Sequence, residues 1–227
     1  MKKNSILIID DEPQIQKLLK LTLQSQSYLV SIASTSKEGL LVAASNQPDL
    51  IILDLGLPDE NGQTTLAKLR TWFNNPIIIL SVLNNEKDII KALDVGANDY
   101  IVKPFRTGEL LARIRSALRT PEITPGNDVI AFDGLEMNFS TFTVKKNSEQ
   151  IKLTSTQFAL LGLFVKNEGK VLTYSYLLNK VWGDGYADQI QYLRVFVAQL
   201  RKKIEANPEK PQFIKTESGI GYRFTAI

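Results

Sequence analysis

The sequence contains no cysteine and no histidine among its 227 residues. Without cysteine, the chain has no disulfide, no thiolate metal ligand and no cysteine nucleophile. Without histidine, it has no Ser-His-Asp triad and no histidine general base, and most kinds of zinc site are excluded. Its chemistry must therefore depend on carboxylates, hydroxyls, amides and cations.

Long apolar runs are missing as well. No stretch approaches the roughly 18 apolar residues of a membrane-spanning helix, and the apolar run after Lys2 and Lys3 is too short for a signal peptide. We therefore expect a cytoplasmic protein with no membrane partner. The formal net charge of +3 is too small to indicate a nucleic-acid partner by itself, so that argument needs local clustering of cations.

Four short apolar runs in the first half of the chain end in polar side chains. Such runs are typical of strands buried on both faces of a parallel sheet. The runs at residues 6–9, 50–53, 77–80 and 100–102 are followed by Asp10 and Asp11, by Asp54, by Ser81, and by Lys103 and Pro104. Because ligands of open α/β sheets lie outside the carboxyl ends of the strands, we expect these side chains to converge at one edge.

Strand and helix patterns alternate from residue 5 to about residue 119. This alternation predicts an α/β fold, a doubly wound five-stranded parallel sheet with helices on both faces. Pro121, Pro125 and Gly126 then interrupt the apolar periodicity. We predict a first domain at residues 1–120 and a linker at residues 121–128.

The pattern changes from residue 129 onward. Short strand patterns at residues 129–132, 135–139, 142–146 and 151–153 are followed by helical patterns at residues 155–167, 174–182 and 189–206. A hairpin at residues 213–216 and 221–225 closes the chain. This order predicts an α+β winged-helix domain at residues 129–227.

The polar edge predicted for the first domain has the groups needed for phosphoryl chemistry. Carboxylate oxygens suit Mg²⁺, and an aspartate can attack phosphorus to form an aspartyl phosphate. Lys103 could pair with the phosphoryl group and Ser81 could donate a hydrogen bond to it. Each residue alone is equally well explained as a helix cap or a turn, but the whole set at matching strand ends is not.

Residues 5–119 resemble the receiver domain of two-component response regulators. The resemblance rests on Ile-Ile-Asp-Asp-Glu at residues 8–12, Leu-Asp-Leu-Gly-Leu-Pro at 53–58, Asn61-Gly62, Ser81, Gly-Ala-Asn-Asp-Tyr at 96–100 and Lys-Pro-Phe at 103–105. It implies that Asp54 accepts a phosphoryl group from a sensor histidine kinase, with the help of Lys103 and Ser81. It also implies a switch pair of Ser81 and Tyr100 and a cis peptide bond before Pro104. The implied Mg²⁺ ligands are Asp10, Asp11, Asp54 and the backbone carbonyl of Gly56.

The last long helical pattern carries four cations and no anion between Arg194 and Lys203. Charge alone indicates a solvated helix face. However, residues 129–227 resemble the winged-helix effector domain of OmpR/PhoB-type regulators, through Gly-Lys-Val-Leu-Thr at 169–173, Val-Trp-Gly at 181–183, Leu-Arg-Lys-Lys at 200–203 and Gly-Ile-Gly-Tyr-Arg-Phe at 219–224. This resemblance implies that the helix enters the major groove of double-stranded promoter DNA. The predicted DNA-contacting residues are Gln191, Arg194, Gln199, Arg201, Lys202, Thr216, Tyr222 and Arg223.

The resemblance also implies that phosphorylated receiver domains pair as a homodimer. The predicted face contains Ile89, Leu93, Asp99, Glu109 and Arg113. Ile89 stands where the family usually has a cation and Asn98 where it usually has Asp, and both positions are expected on this face. Because these changes remove charged pairs, we expect a weaker or more apolar interface.

The resemblance can be narrowed to the branch of the family that controls potassium-transport operons. This narrower resemblance rests on residues 54–59, 192–194 and 217–224. We therefore predict a phosphorylation-dependent transcriptional regulator, supplied by the sensor kinase of that branch, and not a conventional enzyme. One alternative is an aspartyl-phosphate phosphohydrolase, which typically needs a second carboxylate where this chain has Gly56. The other is a phosphate-independent DNA-binding protein with a vestigial receiver, against which the intact acidic residues argue.

Overall fold

The computed structural model describes residues 3–118, 129–183, 185–186 and 189–226. The chain separates into two compact units, the first of which ends at Leu118. The predicted linker lies outside the described residues, and the exact domain bounds stay predictions. Within the described ranges, no helix is both long and apolar enough to cross a bilayer.

The first unit alternates strands and helices in chain order. Its elements are β1 (Ser5–Ile9), α1 (Pro13–Ser25), β2 (Leu29–Ala33), α2 (Ser36–Asn46), β3 (Leu50–Leu53), α3 (Gly62–Arg70), β4 (Ile77–Ser81), α4 (Glu86–Val95), β5 (Asp99–Val102) and α5 (Thr107–Ala117). The strands form one sheet in the order β2-β1-β3-β4-β5, with every neighbouring pair parallel. The predicted doubly wound sheet is confirmed.

The sheet order explains why polar residues from distant parts of the sequence meet. All residues of β3 and β4 are buried, which is why residues 50–53 and 77–80 are uninterrupted apolar runs. β1 pairs directly with β3, and the Asp54 amide donates to the carbonyl of Ile9 at 2.8 Å. The residues after β1 and β3 therefore emerge side by side at the carboxyl edge of the sheet.

The second unit is an α+β domain with two antiparallel sheets. Its elements are β6 (Val129–Phe132), β7 (Leu135–Asn138), β8 (Thr143–Lys146), β9 (Glu149–Ile151), α6 (Ser155–Lys166), β10 (Val171–Thr173), α7 (Tyr174–Trp182), α8 (Ile190–Ile204), β11 (Ile214–Glu217) and β12 (Gly221–Phe224). One sheet has the order β6-β7-β8-β9 and the other the order β10-β12-β11. The predicted winged-helix order is confirmed.

Two strands of this domain differ from the sequence prediction. β9 begins two residues earlier than predicted, because Asn147 and Ser148 both adopt positive φ (50° and 70°) and form the whole turn after β8. The first two residues of β9 are exposed and polar, which hid the strand pattern. β10 was missed because it has only three residues and a single buried side chain, Leu172.

Gly62 begins α3 at a point where no side chain fits. A Cβ atom there would lie 2.3 Å from the carbonyl oxygen of Asp54 and 2.5 Å from the Cα of Leu55. The Gly62 amide donates to the carbonyl of Leu55 at 3.0 Å. The loop at residues 55–61 therefore closes on itself only because residue 62 is glycine.

We expect Gly62→Ala to lower the free energy of unfolding by about 2 kcal/mol, since the backbone must shift to relieve the contact. Gly108→Ala is the matched control, because a Cβ at that helical position meets nothing within 4 Å. It should be neutral or slightly stabilising. Urea unfolding followed by circular dichroism measures both, and equal effects of the two variants would contradict this account of Gly62.

Candidate functional site

The carboxyl edge of the parallel sheet holds a cation among three carboxylates. The Lys103 ammonium, directly after β5, lies 2.9 Å from Asp10 Oδ2, 2.8 Å from Glu12 Oε1 and 2.7 Å from Asp54 Oδ2. The side chains of Lys103 and Asp54 are each 7% exposed, and that of Asp10 is 1% exposed. The strand ends thus bring Asp10, Asp54 and Lys103 into one nearly buried cluster.

The same carboxylates form a possible cation site. One oxygen from each of Asp10, Glu12 and Asp54 lies within 4.8 Å of the others. Three carboxylate oxygens fit a hard divalent cation such as Mg²⁺. Asp11 is exposed and is not a member of this group, so its role as a ligand stays a prediction.

Sequence reasoning missed Glu12. It is the residue just before α1, three positions beyond the end of β1, where no strand-end argument applies. Its longer side chain nevertheless reaches Lys103. The signal that could have found it is its place in the Ile-Ile-Asp-Asp-Glu motif.

Burial and hydrogen bonding shift the pKa values in this cluster in identifiable directions. Burial raises the pKa of Asp10, and the hydrogen bond from Lys103 only partly opposes that effect. Burial alone would lower the pKa of Lys103, but the hydrogen bonds to Asp54, Glu12 and Asp10 outweigh it and raise the pKa above its usual value. Lys103 therefore stays charged at neutral pH.

Ser81 and Tyr100 both contact the backbone of Leu83. Ser81 ends β4 and is 1% exposed, and its hydroxyl accepts a hydrogen bond from the Leu83 amide at 3.3 Å. Tyr100 lies in β5 and is 2% exposed, and its hydroxyl donates to the Leu83 carbonyl at 2.8 Å. Burial raises the pKa of Tyr100. The predicted switch residues are thus joined through the loop between β4 and α4.

Two further features adjoin this edge. Gly56 donates its amide to Asp54 Oδ1 at 3.1 Å, which leaves Asp54 Oδ2 to Lys103. The peptide bond between Lys103 and Pro104 is cis, as predicted.

The predicted pairing face is only partly exposed in this structure. Arg113 contacts Asp99 at 3.0 Å and Glu109 at 2.6 Å, so these three residues form an ion-pair network within one chain. Ile89 is half-buried. Leu93 is on the inward side of α4 and is 0% exposed, and its place on the pairing face stays a prediction.

Asn98 was also expected on this face, and it too is buried in the single chain. It is 2% exposed, and its side-chain oxygen accepts hydrogen bonds from Arg70 Nη2 at 2.6 Å and from the Ile77 amide at 2.9 Å. Burial lowers the pKa of Arg70, whose guanidinium also donates to the carbonyls of Phe73, Asn75 and Gly96. Asn98 therefore holds the start of β5 against the end of α3.

In the second unit, α8 presents part of the predicted DNA-contacting set to solvent. Gln191, Arg194 and Lys202 are exposed on α8, and Thr216 is exposed on β11. Arg201 and Arg223 are half-buried. The exposed cations and amide are the groups that could reach DNA directly.

Two residues predicted to contact DNA, Gln199 and Tyr222, have side chains that face the domain interior, and their contacts with DNA stay predictions. Gln199 is 7% exposed and accepts a hydrogen bond from Gln157 Nε2 at 2.6 Å. It lies three residues after buried Phe196, on the inward side of the helix. Tyr222 is 4% exposed, and its ring packs edge-on against Phe164 and Tyr174.

The two half-buried arginines have partners within the chain. Arg201 donates to the carbonyl of Ile214 at 2.7 and 3.0 Å and to the hydroxyl of Thr216 at 2.8 Å. Arg223 contacts Glu217 at 2.8 Å. These contacts attach α8 to β11 and join β11 to β12, so the helix and the hairpin are held together.

Comparison with protein families assigns both units. Residues 6–115 match the response regulator receiver domain. Residues 148–224 match the C-terminal domain of transcriptional regulatory proteins.

Relatives share this arrangement over nearly their whole length. The chain is 43% identical to the transcriptional regulatory protein KdpE of Mycobacterium tuberculosis over 223 residues, covering 97% of this chain and 99% of the relative. It is 43% identical to the KDP operon transcriptional regulatory protein KdpE of Escherichia coli, covering 97% and 98%. Among solved structures, a RitR mutant has a TM-score of 0.78 at 29% identity, covering 97% of this chain and 98% of that one. The OmpR/PhoB homologue DrrB of Thermotoga maritima has a TM-score of 0.53 at 29% identity, covering 99% and 100%.

Lys103→Met should destabilise the fold, because it removes the cation that compensates the negative charges of Asp10 and Asp54. Removing one partner of a buried ion pair costs about 3–5 kcal/mol, so we expect a loss of about 3 kcal/mol at pH 7. Because Lys103 lowers the pKa of Asp10, the variant should have a still higher Asp10 pKa. A raised carboxyl pKa penalises the ionised folded state, so the deficit should shrink between pH 7 and pH 5.

Urea unfolding at both pH values measures this effect. The matched control is Lys103→Met combined with Asp10→Asn, which should show a smaller pH dependence because the buried carboxylate is gone. An equal deficit of the single variant at pH 7 and pH 5 would contradict the assignment.

Proposed function

The chain belongs to the OmpR/PhoB-type response regulators, and from that premise we propose that phosphorylation of Asp54 controls its binding to promoter DNA. The observation that carries the proposal is the contact of Lys103 with Asp54 and Asp10 at the carboxyl edge of the sheet. The same chain carries the exposed cations of α8 on its second domain. One domain thus offers a phosphoryl acceptor and the other a DNA-binding surface.

In the transfer step, a carboxylate oxygen of Asp54 attacks the phosphorus of a phosphohistidine on the kinase. The P–N bond breaks, the O–P bond to Asp54 forms, and the imidazole leaves and takes up a proton. Lys103, already 2.7 Å from Asp54, pairs with the phosphoryl oxygens. The Ser81 hydroxyl donates to one of these oxygens.

The Mg²⁺ proposal rests on the donor set. Asp10 and Asp54 would hold the ion with the carbonyl of Gly56, and either Glu12 from the observed group or Asp11 would complete the set. When bound, the ion supplies positive charge that offsets repulsion between the acidic cluster and the phosphoryl group. The chain only accepts and slowly loses this group, so we do not class it as a conventional enzyme.

Phosphorylation of Asp54 changes DNA binding through pairing of the receiver domains. A phosphoryl group at Asp54 changes the contacts of Ser81, and Leu83 passes the change to Tyr100 in β5. The face formed by α4, β5 and α5 then favours a homodimer, with Ile89, Asp99, Glu109 and Arg113 near the contact. Two linked DNA-binding domains bind repeated half-sites more tightly than one.

The relatives named KdpE suggest the target and the donor. We propose that this regulator controls potassium-transport genes of the kdp type and receives its phosphoryl group from a KdpD-like sensor histidine kinase in the cytoplasm. Identity of 43% over almost the full chain supports this narrower assignment.

Incubation with acetyl phosphate and Mg²⁺ should add one phosphoryl group to the wild-type chain and none to Asp54→Asn. The amide is a poor nucleophile, so the variant keeps the shape of the site but loses the reaction. Intact mass measures the addition, and size-exclusion chromatography should show a shift of the modified wild type towards dimer. Equal mass gain in both proteins would exclude Asp54 as the acceptor.

Arg194→Ala should weaken binding to the promoter of the chain's own potassium-transport genes at least tenfold. If Arg194 meets a phosphate, the slope of log affinity against log salt should also fall by about one. Lys145→Ala is the matched control, because it removes a cation from β8, which belongs to the other sheet of the domain and not to α8 or the hairpin. Fluorescence anisotropy at several salt concentrations measures both, and an equal loss in the two variants would contradict the α8 surface.

A further inference from the structure

The loop after Asp54, residues 55–61, is held by hydrogen bonds at both of its ends and by two acidic side chains between them. Its near end is fixed by the bond from the Gly56 amide to Asp54 Oδ1 at 3.1 Å. Its far end is fixed by the bond from the Gly62 amide to the Leu55 carbonyl at 3.0 Å. Between these ends, the side chains of the acidic residues Asp59 and Glu60 contact α2 and α3.

Asp59 binds the start of α2 with both carboxylate oxygens. Oδ1 accepts a hydrogen bond from the Ser36 amide at 2.8 Å, and Oδ2 accepts one from the Lys37 amide at 3.0 Å. The first amides of a helix have no partner within the helix, and its N-terminus attracts anions. These bonds, the one from Lys37 first, lower the pKa of Asp59. Asp59 is therefore ionised at neutral pH.

A chain of buried hydroxyls reinforces this anchor. Ser36, 2% exposed, donates to Glu60 Oε2 at 3.2 Å, and Thr65, 0% exposed, donates to the Ser36 hydroxyl at 2.7 Å. Lys68 contacts the other oxygen of Glu60 at 2.6 Å. Ser36 thus links the loop both to the start of α2 and to the body of α3.

The helix α2 has its own cap apart from Asp59. The Thr35 hydroxyl accepts a hydrogen bond from the Glu38 amide at 3.2 Å, and Glu38 Oε2 accepts one from the Ser34 amide at 2.7 Å. These contacts stabilise the same helix end without touching the loop. The hydrogen bonds of Asp59 therefore differ from those of the cap, because they fix the position of residues 55–61.

We propose that Asp59 and Ser36 are positioning residues for phosphorylation of Asp54. By anchoring the loop, they keep the Gly56 amide on Asp54 Oδ1, so that the other oxygen remains on Lys103. Without the anchor, the loop moves and the Asp54 carboxylate loses its fixed orientation. This inference rests on the proposed function, because it takes Asp54 to be the acceptor.

The test compares Asp59→Asn with Thr35→Ala and Glu38→Gln in the full chain. Asn at position 59 loses the charge and turns an amide donor towards a backbone N–H, whereas the two controls weaken only the cap of α2. With acetyl phosphate and Mg²⁺, Asp59→Asn should lower the maximal phosphorylation rate about fivefold or more at an unchanged half-saturating acetyl phosphate concentration. Both controls should stay within twofold of wild type.

Amide hydrogen exchange gives a readout that does not depend on phosphorylation. Exchange at residues 55–61 should be faster in Asp59→Asn and unchanged in the controls. A variant phosphorylated as fast as wild type, or controls slowed as much as Asp59→Asn, would overturn the inference. Wild type that accepts no phosphoryl group would overturn the proposed function as well, whereas normal transfer to both wild type and Asp59→Asn overturns this inference alone.

Discussion

One buried ammonium holds the carboxyl edge of the parallel sheet together. Adjacent strands deliver Asp10 and Asp54 to nearly the same point, and two carboxylates that close repel each other unless a cation intervenes. Lys103 reaches across from the end of β5 and contacts both, along with Glu12. The packing of the central strands and the chemistry of the site therefore depend on the same charge.

This dependence gives phosphorylation a structural consequence. Under the proposed function, a phosphoryl group on Asp54 would add negative charge and several strong acceptor oxygens, and Lys103 would then share its hydrogen bonds differently. Ser81 stands on the neighbouring strand, and Leu83 joins it to Tyr100. The ion-pair network around Arg113 lies on β5, the strand of Tyr100, and on α5. A local change of charge is thus linked by direct contacts to the face expected to pair.

The sequence predicts the parts of this molecule that follow from strand ends and periodicity. Each of three residues, Asp10, Asp54 and Lys103, directly follows a buried apolar run. They meet because the parallel strands of the sheet end at the same edge. Glu12 was not predicted, because its contact depends on the reach of a side chain beyond the strand. Residues 119–128 lie outside the described part, so the predicted linker stays a prediction.

The expected exposure of a side chain differs from the structure where tertiary packing decides which way the side chain faces. Leu93, Asn98, Gln199 and Tyr222 were assigned to surfaces but are buried. Gln199 illustrates the reason. From the sequence, a polar side chain on a cationic helix is expected to contact a DNA base, whereas the structure gives it Gln157 as a hydrogen-bond partner. Hydrogen bonds between distant segments, such as Arg70 with Asn98, leave no periodic signal in the sequence.

The most direct test of the central claim is the affinity of the full chain for its promoter DNA before and after phosphorylation of Asp54, measured at one fixed salt concentration. If phosphorylation drives pairing of two linked DNA-binding domains, affinity should rise at least tenfold and binding should become cooperative. Equal affinity of the modified and unmodified chains would contradict the account, and would favour a DNA-binding protein whose receiver domain does not control it.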